Sequence, residues 1–381
     1  MRLPVVLALA LCLAHCGDDA AEPSPFQGPV RVDLEATRAP MRLSELNLVQ
    51  WDPETGFAYN DRVVPYDLNT PLFSDYALKD RAIYVPEGAV MTYTDEGVFD
   101  LPVGSVIVKS FSFPADFRQP DEDVEVIETR VLIHGNEGWQ NWPYIWDEAQ
   151  EDAILSPAGE VREIDFIDAE GEALTASYLV PQRNQCGACH ALQTSPGADE
   201  TFFTPIGPKA RNLNRVFDYG GRVGMRNQLE YLSELGMLTG VPAEVDAAYD
   251  FGPIEEAGLA AVPAEDVDRA ARDYLDVNCA HCHNPRGVQG QTSQLFLNYD
   301  NEDQFRLGFC KRPGSAGEGN GGLTYDIVPG NPAESILVFR TATEEVGAMM
   351  PLLGRSLAHD HGVDLLEAWV ASLPPQTCEE E

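Results

Sequence analysis

The sequence predicts an α+β multidomain chain, with a β-rich antiparallel N-terminal domain followed by helical segments. Three observations carry this expectation. Residues 41–182 hold short β-branched and aromatic runs separated by turn residues. Two Cys-x-x-Cys-His pentapeptides follow, at 186–190 and 279–283. Apolar residues at helical spacing dominate from about 263 onward. The chain has 381 residues, enough for two or three domains with a sizeable core.

In chain order, Met1-Arg2-Leu3 and the apolar Pro4–Ala14 read as a basic n-region and an h-region of an export signal. The apolar run is too short to span a bilayer. Leu13-Ala14-His15-Cys16-Gly17 resembles a bacterial lipoprotein processing site, with Cys16 as the acylated N-terminus. His15 departs from the small residue expected there, and cleavage to a free periplasmic product is the alternative. Residues 1–16 are thus expected to be a signal peptide. Residues 17–40, rich in Asp, Ala, Pro and Gly, are expected to be a tether.

Within the β-rich domain, 41–182, strands are expected at Arg81–Val85, Ser105–Phe111, Val124–Ile133, Val161–Ile167 and Ala173–Val180. Gly135-Asn136-Glu137-Gly138 predicts a hairpin into Trp139–Trp146. A sandwich or jelly-roll-like sheet is expected. Trp139, Trp142, Tyr144 and Trp146 are read as core, with a ligand groove as the alternative. The first helical segment, 183–262, predicts a helix over Gln185–Ala191 and another over Arg226–Leu235. The C-terminal domain, 263–375, predicts a helix with Val267, Ala270, Ala271, Tyr274 and Leu275 on one face. Asn331-Pro332-Ala333-Glu334 predicts a helix start with Asn331 as N-cap. Val363–Leu373 predicts a last helix, ended by Pro374. The glycine-rich 314–322 stretch has no P-loop pattern.

Cys-x-x-Cys-His is the attachment signature of c-type haem. Two sulfurs add across the vinyl groups and the adjacent His supplies an iron ligand. On one helical turn, positions i and i+3 share a face and i+4 lies beside them. Cys186, Cys189 and His190 are therefore expected to hold one haem, and Cys279, Cys282 and His283 another, giving two covalently bound haem c. The alternative is zinc between paired Cys-x-x-Cys elements, which does not need a His after each second Cys.

The sixth ligand of the second haem is expected to be Met350, in Met349-Met350-Pro351, with Met349 as the alternative. His281 is expected to face solvent, and His359 and His361 to flank the last helix. For the first haem, His134, Met225 and Met237 are candidates, and a five-coordinate iron is the remaining possibility. Gly207-Pro208 resembles the loop that in many small c-type cytochromes brings a proline carbonyl near the proximal His. Pro208 is accordingly expected to accept a hydrogen bond from His190, an ordinary turn being the alternative. Cys310 and Cys378 remain as an even pair and are expected to form a disulfide in an oxidising compartment.

The chain carries 62 acidic and 25 basic residues, a formal net charge of −37. This argues against nucleic acid and against docking on anionic lipid. It fits a solvated acidic surface or one that steers basic redox partners.

Taken together, several stretches resemble a family of bacterial two-haem c-type cytochromes, exported and including lipoproteins. The marks are Pro65 to Tyr76, Asn184 to His190, Gly207 to Asn214, Asn278 to Asn284, and Val328 to Pro332 followed by Met349-Met350-Pro351. The resemblance covers about residues 41–373. It implies a β-rich part joined to helical c-type cytochrome segments, and it supplies no substrate. The expected function is electron transfer with redox proteins of the periplasm or outer membrane, the chain being held there by lipid if Cys16 is acylated. Two alternatives stay open: a two-haem peroxidase-like oxidoreductase with an open first haem, and a ligand-binding β-domain carrying haems.

Overall fold

A computed structural model describes residues 25–35, 38–288, 294–314 and 316–379. The expected leader, 1–16, and Cys16 lie outside the described residues. The first half is strand-rich. β1 (Val49–Asp52) and β2 (Gly56–Tyr59) form a ribbon, β3 (Val63–Pro65) and β4 (Leu78–Tyr84) follow, and β5 is Met91–Thr92. Then come β6 (Val106–Pro114), β7 (Val124–Gly135), β8 (Gly138–Trp146), β9 (Ala153–Leu155), β10 (Glu160–Ile167) and β11 (Ala173–Val180).

Six of these make one antiparallel sheet in the order β3-β4-β6-β7-β8-β9. The β7–β8 hairpin closes at Gly135↔Gly138, with Asn136 and Glu137 as its two loop residues. β10 and β11 form a separate ribbon. The expected sandwich or jelly roll is not what forms. Alternation along β4, β6 and β7 gives the sheet two apolar faces, and helices, loops and the short ribbons β1–β2 and β10–β11 cover them in place of a second large sheet. On one face Ala82, Val106, Val108, Val131 and Ile133 pack with Leu43, Leu46 and Leu48 from the chain before β1. On the other, Ile83, Ile107 and Leu132 pack with Ala210, Leu213, Leu229 and Leu232 of the first helical segment. Residues 183–262 therefore share the core of the sheet. Part of the expected tether is also ordered: Val30 and Val32 pack on the first face, and Arg31 N donates to Leu46 O at 2.9 Å.

The helices are α1 (Gly187–His190), α2 (Ala210–Leu213), α3 (Gln228–Glu234), α4 (Gly252–Ala257), α5 (Val267–Asn278), α6 (Ile336–Ala342) and α7 (Asp360–Ser372). Asn227 caps α3 by accepting from Leu229 N and Glu230 N. α5, α6 and α7 enclose a core around Tyr274, Leu275, Leu365, Leu366 and Trp369. At Gly362 a Cβ would overlap the Tyr274 hydroxyl, so only glycine allows α7 to lie this close to α5. The expected helix start at Asn331 is displaced. Pro332–Glu334 forms a 3-10 turn and α6 begins at Ile336, because Ser335 Oγ is spent on Asn331 O and Val328 N.

Cys310 and Cys378 are joined by a disulfide with a Cα–Cα distance of 5.1 Å across 68 residues of sequence. Chain entropy gives such a closure about 4 kcal/mol. The Cys310→Ser, Cys378→Ser double variant is expected to lose roughly that much stability in urea unfolding. Wild type under reductant should match it, and equal midpoints with and without reductant would contradict the assignment.

A strap, Pro65–Tyr76, joins the sheet to the C-terminal helices. Asn69 N donates to Asn212 O at 3.0 Å and Phe73 N to Asn278 Oδ1 at 2.8 Å. Asp75 Oδ1 accepts from Ser356 N and Leu357 N at 2.6 and 2.8 Å.

Candidate functional site

Each Cys-x-x-Cys-His segment is a single helical turn. Cys189 N and His190 N donate to Cys186 O at 3.2 and 2.9 Å, and Cys282 N and His283 N donate to Cys279 O at 3.1 and 2.9 Å. The same spacing thus produces the same turn twice. The first turn is α1, after which the chain leaves as a strand, Ala191–Gln193, paired with Thr201–Phe203. The second begins where α5 ends.

The fold lays the two turns side by side. Leu192 bridges Gly287, Gln193 N donates to Arg286 O at 2.8 Å, and Arg286 Nε returns a bond to Gln193 O at 2.9 Å. Cys282 Sγ lies 3.2 Å from Ala188 O. Ligating atoms of Cys189, His281 and Cys282 all fall within 4.8 Å of one another. His281 was expected to face solvent. It is half-buried, because the first turn occupies the space beside it. The Cys282 thiol and His281 hold the Cys189 thiol well below its ordinary range, and the same contact pushes Cys282 up. Two ion pairs brace the arrangement. Lys209 Nζ meets Asp276 Oδ2 and Arg211 Nη1 meets Asp273 Oδ1, each at 2.6 Å, joining the Gly207–Asn214 stretch to α5.

His190 has a defined setting. Its Nδ1 lies 2.9 Å from Thr204 O, and its ring stacks on Phe203 with centroids 5.0 Å apart. With Nδ1 donating to the carbonyl, Nε2 is the atom left to coordinate. Burial lowers its pKa to about 4, which keeps the imidazole neutral as a metal ligand requires. The expected partner, Pro208, does not fill this role. Its carbonyl accepts from Phe99 N at 3.2 Å, and the strand hairpin brings Thr204 to the ring instead.

Cys186, Cys189 and His190 border a cavity also lined by the second face of the sheet, including Arg81, Lys109 and Arg130. None of the three candidate distal ligands lines it. His134 stacks on Trp139 at 4.7 Å, with Nδ1 on Leu101 O at 2.8 Å. Met237 is 1% exposed in the core beneath the sheet. Met225 is 64% exposed on the surface. The basic wall was missed from sequence. Its residues lie far apart along the chain, and only strand register aligns them.

Met349 and Met350 are half-buried on the loop between α6 and α7. Arg355 organises that loop, donating to the carbonyls of Met350 (3.0 Å), Leu357 (2.9 Å), Arg340 (3.0 Å) and Thr343 (2.9 Å). The same guanidinium acts on Cys279, whose thiol burial nevertheless pushes up to about 12. Pro351, Leu353, Gly354 and Arg355 of the same loop also line the cavity that Cys186, Cys189 and His190 border. His283 O accepts from Leu297 N at 2.7 Å. His359 does more than flank the last helix. It is 4% exposed and stacks on Phe73 at 4.2 Å, with its ring nitrogens 3.0 Å from Tyr274 Oη and Glu255 Oε1, so neither is available to a metal.

Trp142 and Trp146 are buried in the sheet core, as the packing reading of the aromatic cluster anticipates. Trp139 is half-buried under His134. Comparison with family models, curated proteins and solved structures finds no match to this chain.

Proposed function

We propose that this chain is an exported two-haem c-type cytochrome that transfers electrons in the periplasm or at the outer membrane, held there through Cys16 if that residue is acylated. The contact between the two Cys-x-x-Cys-His turns carries the proposal. Cys189 and Cys282 are neighbours, so groups attached to them are neighbours too, which suits direct electron exchange. The residues fit the group chemically. Each turn offers two thiols and a histidine, and His190 has its tautomer set by a carbonyl. Two buried polar atoms of residues bordering the first cavity, Ser74 Oγ and Asn141 Oδ1, have no hydrogen-bond partner among the described residues and suit a polar occupant. Bound haem supplies one-electron chemistry at iron. The chain itself holds His190 neutral and shields the junction between the two turns. A soft metal ion held by Cys189, His281 and Cys282 explains less, since it leaves Cys186, Cys279, His190 and His283 without a role.

The decisive measurement is the mass of the full chain from a host competent in haem attachment. Two haem additions are expected, one lost in Cys186→Ala, Cys189→Ala. A mass equal to that of the bare processed chain ends this reading.

The cavity favours a second reading as well, a peroxidase-like enzyme, because none of His134, Met225 and Met237 borders it. A high-spin ferric signal with cyanide binding and peroxide turnover supports the enzyme. Two low-spin irons without turnover leave the carrier.

A further inference from the structure

The cavity beside the first turn has an anion-receiving wall. In the sheet, Arg81 lies directly opposite Lys109, and Lys109 directly opposite Arg130. Like charges in directly opposed positions repel. A sequence has little reason to keep three in one transverse row unless something negative meets them. The two outer members are already paired. Arg81 Nη1 lies 3.0 Å from Asp67 Oδ1, and Arg130 is held by Glu128. Among the described residues, the central Lys109 has no carboxylate partner and rests only over the Phe111 ring, 4.7 Å from its centroid. Burial, and after it the neighbouring Arg81, Lys79 and Arg130 cations, pull its pKa well below the ordinary lysine value. The row on one side is apolar, and the row on the other adds a further cation, Lys79, whose Nζ donates to Ala77 O at 2.6 Å. Ile83, Ile107 and Leu132 lie on one side, and Lys79, Phe111 and Glu128 on the other. Lys109 is thus the central cation of this row, and the row lines the same cavity as Cys186, Cys189 and His190.

We propose that Lys109, supported by Arg81 and Arg130, binds a carboxylate in this cavity. The carboxylate has two possible sources, a propionate of the first haem or a small diffusible carboxylate. The propionate case rests on the two-haem reading above, whereas the diffusible case does not.

The test uses the full, haem-loaded chain, Lys109→Met, Lys109→Arg, and sodium formate as the probe. For a propionate, Lys109→Met lowers the midpoint potential of the first haem and makes it vary with pH, Lys109→Arg stays near wild type, and formate changes nothing. For a diffusible anion, formate raises the wild-type Tm and shifts the first-haem spectrum saturably, and Lys109→Met weakens it about tenfold or more. The proposal is overturned if Lys109→Met matches wild type in both assays. It is also overturned if Lys109→Arg loses a low-spin signal together with Lys109→Met, since that marks a neutral lysine bound to iron. If the mass shows no haem, the earlier reading fails by itself. The formate dependence of Tm then decides the anion site, and no shift overturns it.

Discussion

Replacing Arg355 with alanine is expected to unravel the loop that carries Met349 and Met350 and to cost about 3–5 kcal/mol. Arg355 is 6% exposed and donates to four backbone carbonyls, at residues 340, 343, 350 and 357. The carbonyls of Thr343, Met350 and Leu357 would lose this donor in an interior that water does not easily reach, while Arg340 O keeps the bond from Met350 N at 2.7 Å. Bonds to charged groups are each worth about 1.5–3 kcal/mol, but they share one side chain and do not add in full. Lysine has one donor group in place of a planar fork, so Arg355→Lys should recover only part of the loss. Met350→Ala provides the contrast, because it removes the thioether and leaves the Arg355 bonds in place. On the two-haem proposal with Met350 as the sixth ligand, both Arg355→Ala and Met350→Ala should lose the thioether-to-iron charge-transfer band, but only Arg355→Ala should unfold much earlier in urea. If Arg355→Ala unfolds at the wild-type midpoint, the loop is held by something else. If Met350→Ala keeps the band, Met349 is the ligand to test next.

The second large effect concerns Glu128, which is fully buried in the middle of the sheet. Its carboxylate accepts from Arg130 Nε at 2.9 Å and Nη2 at 2.5 Å, and from Tyr178 Oη at 2.8 Å. Burial works against the Arg130 cation, and the carboxylate beside it more than offsets this, holding its pKa above the usual value. Tyr178 is pushed up by burial and by the same carboxylate, so it remains a neutral donor. Glu128→Gln keeps the shape and removes the charge. Arg130, whose side chain is 22% exposed, would then be a half-buried cation beside Lys109 with its carboxylate gone, and the expected loss is about 2–4 kcal/mol. Glu128→Gln, Arg130→Met should regain much of it, since a pair removed together costs less than a charge left alone. The double-mutant cycle reads this directly. A single variant as stable as wild type would mean that water or another anion already neutralises the row.

Much of the architecture was legible in the chain itself. β-branched runs and the Gly135–Gly138 turn marked the strands, because pleat alternation and turn geometry are local. The face of α5 was legible for the same reason, since helical spacing fixes which residues share a side. The two Cys-x-x-Cys-His turns were legible because i, i+3 and i+4 are one turn of helix wherever they occur. Three other features were not. The partner of His190 was expected at Pro208 and is Thr204, because a short strand pair, not the proline loop, reaches the ring. His281 was expected in solvent and lies against Cys189, because the second turn meets a segment 93 residues away, as the offset of the two motifs requires. The Arg81–Lys109–Arg130 row is invisible along the chain and exists only in the register of three strands.

The sequence by itself determined the two Cys-x-x-Cys-His spacings and the local turns that present their thiols, since both depend on residues within one helical turn. Only the tertiary structure decided that the two turns touch, that the sheet lines the first cavity with cations, and that none of His134, Met225 and Met237 lines it. Those facts depend on long-range packing and register, which residues distant in sequence specify jointly and none specifies alone.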